Sequence, residues 1–197
     1  MTGINFKQNT PPQGAEWLKP YYFLRAAFSF AWVVAAFTVG KSMPILAAAL
    51  LLLYPAWDAF ANLLDAKRNG GLIKNPTQTL NMAISLATTI AVAIALGMSM
   101  NAVLVVFGVW AVLAGLFQLA TAVRRWQSFS AQWAMILSGA QSALAGVIFI
   151  KQANGPVTPS ITSIAPYAAF GAFYFLVSAL WLTVSDMRRR RATSANS

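Results

Sequence analysis

The chain has 197 residues, of which 58% are hydrophobic and only 9% charged, and its formal net charge is +10. A soluble domain carries about 25% charged residues, so this composition excludes an ordinary water-soluble domain and indicates that lipid is the solvent. The sequence contains no Cys and no His, which excludes disulfides, zinc or haem ligation by Cys and His, and a Ser-His-Asp triad. We therefore expect no metal site, no cofactor and no enzyme activity.

Hydrophobic residues occur in six long runs, at 21–39, 43–66, 80–97, 103–123, 133–150 and 164–184. Each run has about 18 to 24 residues, and about 20 residues of helix cross the hydrocarbon of a bilayer. The runs lack the alternation that is typical of β-barrel strands. The sequence therefore predicts an all-α integral membrane bundle of six transmembrane helices arranged as three helix hairpins. We expect a polar segment at 1–20, the six-helix domain at 21–185 and a basic tail at 186–197.

The basic residues are concentrated on one side of the predicted bundle. Twelve of the 14 lysines and arginines fall on the side of the two termini, while Lys41 and Lys151 fall on the other. Because positive charge is retained in the cytoplasm during insertion, this bias predicts that both termini are cytoplasmic. The basic residues at the helix ends account for the positive net charge. We therefore do not expect the protein to bind nucleic acid. We expect anionic lipid head groups to contact the basic residues Lys67, Arg68, Arg124, Arg125, Arg188, Arg189, Arg190 and Arg191.

The three even-numbered spans end in a similar way, with a basic pair directly after the apolar run. These pairs lie at 67–68, 124–125 and 188–189, so their spacing is 57 and then 64 residues. The spacing is consistent with a repeated helix hairpin. It is equally consistent with a common requirement for basic residues at every helix end that faces the cytoplasm.

Two neighbouring stretches resemble a known family. They are VFGVWAVLAGLFQLATAVRRW at 106–126 and QWAMILSGAQSALAGVIFI at 132–150. Together they resemble the repeat unit of the HdeD-type acid-resistance membrane proteins, a short two-helix repeat of unassigned activity. Residues 57–68 and 174–191 match this unit more loosely. The resemblance implies a bacterial inner-membrane protein with six spans that is associated with acid or envelope stress, and it supplies no catalytic residues.

Small residues recur along three of the spans, which allows the backbones of neighbouring helices to approach closely. We expect these ridges to pack within the bundle or between copies in a homo-oligomer, and the pattern does not separate the two. The ridges are Ala83, Ala87, Ala91 and Ala95 in the third span, Gly108, Ala111, Gly115 and Ala122 in the fourth, and Ser138, Ser142 and Gly146 in the fifth.

Three charged residues, Arg25, Asp58 and Asp65, lie inside apolar runs, where an Asp or Arg at the helix centre costs about 2.5 to 3.5 kcal/mol. Asp58 lies about 13 Å from the basic end of its helix, and Arg25 lies about 9 Å beyond Lys19. Since these depths overlap, the sequence predicts an intramembrane ion pair between Arg25 and Asp58, or Asp65. Such a pair could lock the bundle or take part in transport, and Arg25 could instead extend to the interface.

Three uncharged polar residues, Asn62, Gln118 and Gln141, lie in the spans near the depth of this pair. Asn62 also shares a helix face with Asp58. We expect these side chains to bond between helices, or to line a polar cavity that opens to the cytoplasm. The outer halves of the spans offer little beyond Ser, Thr and Tyr, so we do not expect a conduction path.

The sequence favours a non-enzymatic membrane protein of unknown molecular activity, with a link to acid or envelope stress that rests on the resemblance. One alternative is a small transporter or channel that uses Asp58 as its titratable group. The other is an accessory subunit of a larger membrane complex. The expected partners are membrane lipids and either a second copy or another membrane protein.

Overall fold

A computed structural model describes residues 15–124 and 132–194, with side chains at 17–120 and 136–188 and at Val123 and Arg191. All six helices in this part of the chain are long and apolar enough to cross a membrane. The predicted six-span, all-α class is therefore confirmed. The helices are α1 (Ala15–Ala35), continued by a π-helical turn at Ala36–Gly40, α2 (Pro44–Arg68), α3 (Pro76–Leu96), α4 (Met100–Arg124), α5 (Gln132–Ala153) and α6 (Ile161–Ser194).

The connection between α2 and α3 shows how local sequence sets the helix ends. Gly70 and Gly71 follow α2 with φ of 95° and 96°, in the left-handed region that glycine adopts without a steric penalty. The Asn75 side chain donates to the carbonyl oxygens of Asn69 and Gly71 at 2.9 and 2.7 Å. Pro76 then starts α3, where a missing N–H costs nothing. The result is a tight turn that brings α2 and α3 side by side.

The helices pack as three close pairs, α2 with α3, α4 with α5 and α1 with α6. Because the first and last helices are partners, the bundle closes into a ring. An ion pair between Lys19 of α1 and Asp186 of α6, 3.5 Å apart, joins their ends. We call this the basic end of the bundle, where α1, α3 and α5 begin and α2, α4 and α6 end.

Backbone contact between α4 and α5 depends on glycine. A Cβ atom on Gly115 would lie 2.5 Å from both the amide nitrogen of Ala143 and the carbonyl oxygen of Gly139. A Cβ atom on Gly146 would lie 2.4 Å from the carbonyl oxygen of Gly108. No side chain fits at such distances, so the ridges of the fourth and fifth spans pack against each other within the chain.

The small residues of α3 behave differently. Ala83 and Ala87 are exposed on the surface of the chain, whereas Ala95 at the far end of the helix is buried. Only the last part of this ridge therefore contributes to packing inside the bundle.

The apolar core lies in the half of the bundle away from the basic end. The largest fully buried side chains of the described residues include Leu51, Val92, Leu104, Phe107 and Ile164, all in that half. The helices are packed around apolar side chains there, and a cavity extends from the basic half along α5 and α6.

Candidate functional site: a polar cavity inside the ring

Arg25 and Asp58 form an ion pair between α1 and α2. The Nη2 atom of Arg25 donates to Oδ1 of Asp58. Each residue lies ten positions from the basic end of its helix, or about 15 Å along the axis. Their side chains retain 14% and 19% exposure, so the pair is largely but not completely enclosed.

The other oxygen of Asp58 accepts two further hydrogen bonds. Asn62 Nδ2 donates to Oδ2 at 3.0 Å, and Ser85 Oγ of α3 donates to it at 2.7 Å. Trp110 Nε1 of α4 donates in turn to Ser85 Oγ at 3.2 Å. Four consecutive helices are therefore connected through one carboxylate.

The guanidinium of Arg25 has additional partners. Its Nη1 atom donates to the hydroxyl of Tyr21 at 3.0 Å. Its Cζ atom lies 4.2 Å from the ring centroid of Phe175 on α6, within the range of a cation–π interaction. The Nε atom is buried without a hydrogen-bond partner among the described residues. Arg25 therefore extends the polar network from α2 to α6 rather than reaching the basic end.

Asp65 is not the partner of Arg25. It accepts hydrogen bonds from Asn69 Nδ2 at 2.9 Å and from Gln78 Nε2 at 3.1 Å. Asp65 thus stabilises the turn between α2 and α3, while Asp58 and Asn62 from the same helix face lie inside the ring.

Two hydrogen bonds connect α5 with α6 among the side chains that the structure describes. The hydroxyl of Tyr174 donates to Oε1 of Gln141 at 2.7 Å, and the hydroxyl oxygens of Ser142 and Tyr167 are 3.1 Å apart. Ser142 also donates to the carbonyl oxygen of Ala111 at 2.9 Å, which leaves Tyr167 as the donor between the two hydroxyls. Gln141 therefore has an interhelical partner, as expected for an amide in hydrocarbon.

These groups surround one cavity of about 630 Å³. All five polar residues that the sequence suggested could share a cavity line it: Arg25, Asp58, Asn62, Gln118 and Gln141. The sequence did not predict that other polar side chains would line the cavity, because the spacing of polar residues along a helix does not give the direction they face. They are Ser29, Thr77, Asn81, Ser85, Ser138, Ser142, Gln152 and Ser163.

Three amide side chains in the cavity lining are unpaired among the described residues, and one of them, Gln152, is exposed near the end of α5. Gln118 and Asn81 make no hydrogen bond to any side chain or backbone group that the structure describes. Gln141 is different, because its oxygen accepts from Tyr174. The cavity therefore offers free donors and acceptors to whatever occupies it.

The basic residues at the helix ends lie outside the cavity. Lys67 and Arg68 are exposed at the end of α2, as are Arg188 and Arg191 on α6, which continues as a helix to Ser194 within the predicted basic tail. The Cζ atom of Arg68 lies 4.8 Å from the ring of Trp17. Arg125 and the side chains of Arg124, Arg189 and Arg190 lie outside the described part of the chain.

Comparison with known proteins adds one similarity. No curated protein and no solved structure matches the chain. Within the part of the chain that the structure describes, no three acidic residues are grouped as a metal site would require. Residues 83–151, which run from α3 through most of α5, are similar to the family described as a short repeat of unknown function (DUF308).

Proposed function

We propose that this protein is a non-enzymatic, multi-pass membrane protein that binds a small molecule in its central cavity, as a carrier for that molecule. The cavity volume of about 630 Å³ is within the usual range for small-molecule sites. Its lining combines apolar surface with many polar groups, and neighbouring helices hold some of these in place. This combination supports a binding site more than a uniformly packed structural bundle.

The unpaired amides of Gln118 and Asn81 are the observation that carries the proposal. An amide without a hydrogen-bond partner in hydrocarbon costs several kcal/mol. Water or a polar ligand in the cavity removes that cost. The cavity is therefore hydrated or occupied when the protein is in a membrane.

The Arg25–Asp58 pair fixes one wall of the site. Asp58 accepts hydrogen bonds from three side chains on three helices, so its position is set by the fold before a ligand enters. Such preorganisation reduces the cost of binding. We propose that a solute displaces water at this wall and forms hydrogen bonds with the amides of Gln118 and Asn81.

We also propose an orientation for the protein in the membrane, with the basic end of the bundle facing the cytoplasm. Twelve of the 14 basic residues belong to the side of the basic end, which supports a cytoplasmic location for that end in the inner membrane of a bacterium. Thr77, Asn81 and Gln118 of the cavity lining lie in the same half, so we propose that the cavity exchanges polar solutes with the cytoplasm. The exposed Lys67, Arg68 and Arg188 would contact anionic head groups.

Water access can be tested by cysteine labelling, because the natural chain has no cysteine. Gln118→Cys places a thiol in the cavity, and Leu116→Cys places one on the exposed face of the same helix. A membrane-impermeant thiol reagent should modify Gln118→Cys at least about tenfold faster, since the reaction needs a hydrated thiolate. Equal and slow modification of both variants would contradict a water-filled cavity.

Occupancy can be tested by purification from native membranes followed by identification of the bound compounds. Ala114→Trp should fill the cavity, whereas Leu113→Trp adds the same side chain on the exposed face of α4. A compound retained by the natural protein and by Leu113→Trp, but lost from Ala114→Trp, would support a carrier. A stoichiometric protein partner and no retained compound would instead favour an accessory subunit.

A second candidate function is a role in acid or envelope stress. It is supported by the resemblance of residues 106–150 to the HdeD-type repeat, a stretch within the segment similar to the short repeat of unknown function. Deletion of the protein should then lower survival at acid pH. Rescue by Leu113→Trp but not by Ala114→Trp would connect that role to the cavity.

A further inference from the structure

We propose that the cavity opens sideways to the bilayer between α5 and α6 and takes a single-chain amphiphile with an uncharged head group, of the monoacylglycerol class. This inference rests on the proposed binding function and specifies its ligand. The head group would lie among the amides in the basic half. The acyl chain would extend between α5 and α6.

The shape of the cavity indicates this direction. In α1 to α4 its lining residues lie near the helix middle or in the basic half, from Tyr54 and Trp110 at mid-helix to Thr77 at the start of α3. In α5 and α6 the lining continues to Gln152 and Ser163, which are within a few residues of the opposite end. The cavity therefore has an elongated branch whose two walls are α5 and α6.

Three apolar side chains along this branch also reach the outer surface. Leu144, Ile148 and Phe170 line the cavity, yet they are 60%, 43% and 51% exposed. A residue that lines a cavity and is exposed on a membrane-facing helix marks a place where the cavity meets lipid. These three side chains thus form the edges of a lateral opening.

The contact of α5 with α6 differs from its contact with α4. With α4 it packs backbone to backbone through glycine, while with α6 it packs sparsely. The α5–α6 connection includes the bonds of Tyr174 to Gln141 and of Tyr167 to Ser142. Long side chains bridge the two helices there, and an acyl chain fits where close packing is missing.

The charge of the cavity selects the head group. Arg25 and Asp58 are the charged residues among its described lining, and they neutralise each other. An anionic head group would compete with Asp58 for Arg25, and a cationic head group would compete with Arg25 for Asp58. Gln118 and Asn81 have unpaired amides, which suit the hydroxyls of an uncharged head group.

Photocrosslinking tests the proposal on the full chain in vesicles. The probe is a monoacylglycerol with a photoreactive diazirine in its acyl chain, and labelled residues are mapped by mass spectrometry. We expect labelling of Leu144, Ile148 and Phe170 to exceed labelling of the exposed Ile90 and Ile94 on α3. Even labelling of both groups would identify the probe as bulk lipid and overturn the proposal.

A matched pair of variants tests the entry route. Ala145→Trp fills the cavity branch, and Ala140→Trp adds the same side chain to the exposed face of α5. Labelling between α5 and α6 should fall at least about tenfold in Ala145→Trp and stay unchanged in Ala140→Trp. Unchanged labelling in a folded Ala145→Trp would contradict the proposal, and mapping on the natural chain decides the question if that variant does not fold.

Competition distinguishes this inference from the binding function on which it rests. Unlabelled monoacylglycerol should compete with the probe, whereas a fatty acid or a lysophosphatidylglycerol of equal chain length should compete at least about tenfold more weakly. If the probe does not bind but Ala114→Trp still loses a retained water-soluble compound, the lateral route is wrong and the cavity function stands. If neither is observed, both are wrong.

Discussion

Ser85 of α3 donates its hydroxyl to Asp58 of α2 at 2.7 Å, and the same hydroxyl oxygen accepts a hydrogen bond from Trp110 of α4. This serine connects the ion pair of the first two helices to the segment that is similar to the short repeat of unknown function. The charged pair and the repeat-like segment are therefore parts of one structural unit.

Replacing Asp58 with Asn should strongly destabilise the bundle. Removing one partner of a buried ion pair leaves the other charge uncompensated and typically costs about 3 to 5 kcal/mol. The midpoint of thermal unfolding in detergent should fall clearly. Asp186→Asn is the control, because its pair with Lys19 is about half exposed and a surface pair contributes about 1 kcal/mol or less. Equal stability of the two variants would show that the Arg25–Asp58 pair does not hold the helices together.

Replacing Ser85 with Ala should cause a smaller loss. The variant removes a donor to a carboxylate and the acceptor of Trp110, and hydrogen bonds between membrane helices contribute about 0.6 kcal/mol on average. Combining Ser85→Ala with Asp58→Asn should give less than the sum of the two effects, because both act on the same network. Ser178→Ala is a suitable control, since Ser178 donates within its own helix to Tyr174. Strict additivity in a double-mutant cycle would separate the serine from the ion pair.

Even a methyl group at Gly115 should disrupt the contact between α4 and α5. Gly115→Ala forces a Cβ atom against two backbone atoms, and overpacking of this kind costs about 1 to 3 kcal/mol. Gly97→Ala is the matched control, because the nearest atom to its Cβ would be the carbonyl oxygen of Ile94 at an ordinary 3.4 Å. Unfolding midpoints in detergent would test the difference. If Gly115→Ala were as stable as Gly97→Ala, close backbone packing would not be needed.

Lipid selectivity should depend on the basic end. Replacing Lys67 and Arg68 with Gln removes two exposed charges, each of which contributes about 1 kcal/mol near an anionic surface. Retention of anionic lipid by the purified protein, measured by native mass spectrometry, should fall severalfold. Lys41→Gln at the opposite end should have a smaller effect, and the reverse order would contradict our assignment of the head-group contacts.

The number of the helices and the positions of their apolar parts were predictable because the bilayer requires long apolar runs, although α6 continues to Ser194 beyond its predicted run. The depth of each residue in the membrane was also predictable, since each residue advances the helix by a fixed rise. The depths of Arg25 and Asp58 suggested a pair, and the structure places them in one. Asp65 lies on the same helix face, two turns nearer the turn that follows α2, where Asn69 and Gln78 bind it instead.

The rotation and partners of the helices were not predictable in the same way. The alanines of α3 and the glycines of α4 give similar patterns, yet Ala83 and Ala87 are exposed while Gly115 contacts a neighbouring backbone. Ser85 lies between those two alanines and nevertheless faces Asp58. The rotation of a helix about its own axis depends on all its neighbours, and the spacing of small residues does not determine that rotation.

The pairing of α1 with α6 has a consequence for how the molecule assembles. During synthesis α1 is made before α6, its main partner. Four intervening spans are therefore synthesised before α1 can pack against α6. Until then Arg25 has Asp58 and Trp32 has the carbonyl oxygen of Leu50 as anchors on α2. Insertion of α6 places Phe175 beside the guanidinium and closes the ring of helices, so the cavity cannot be complete before α6 is in the membrane.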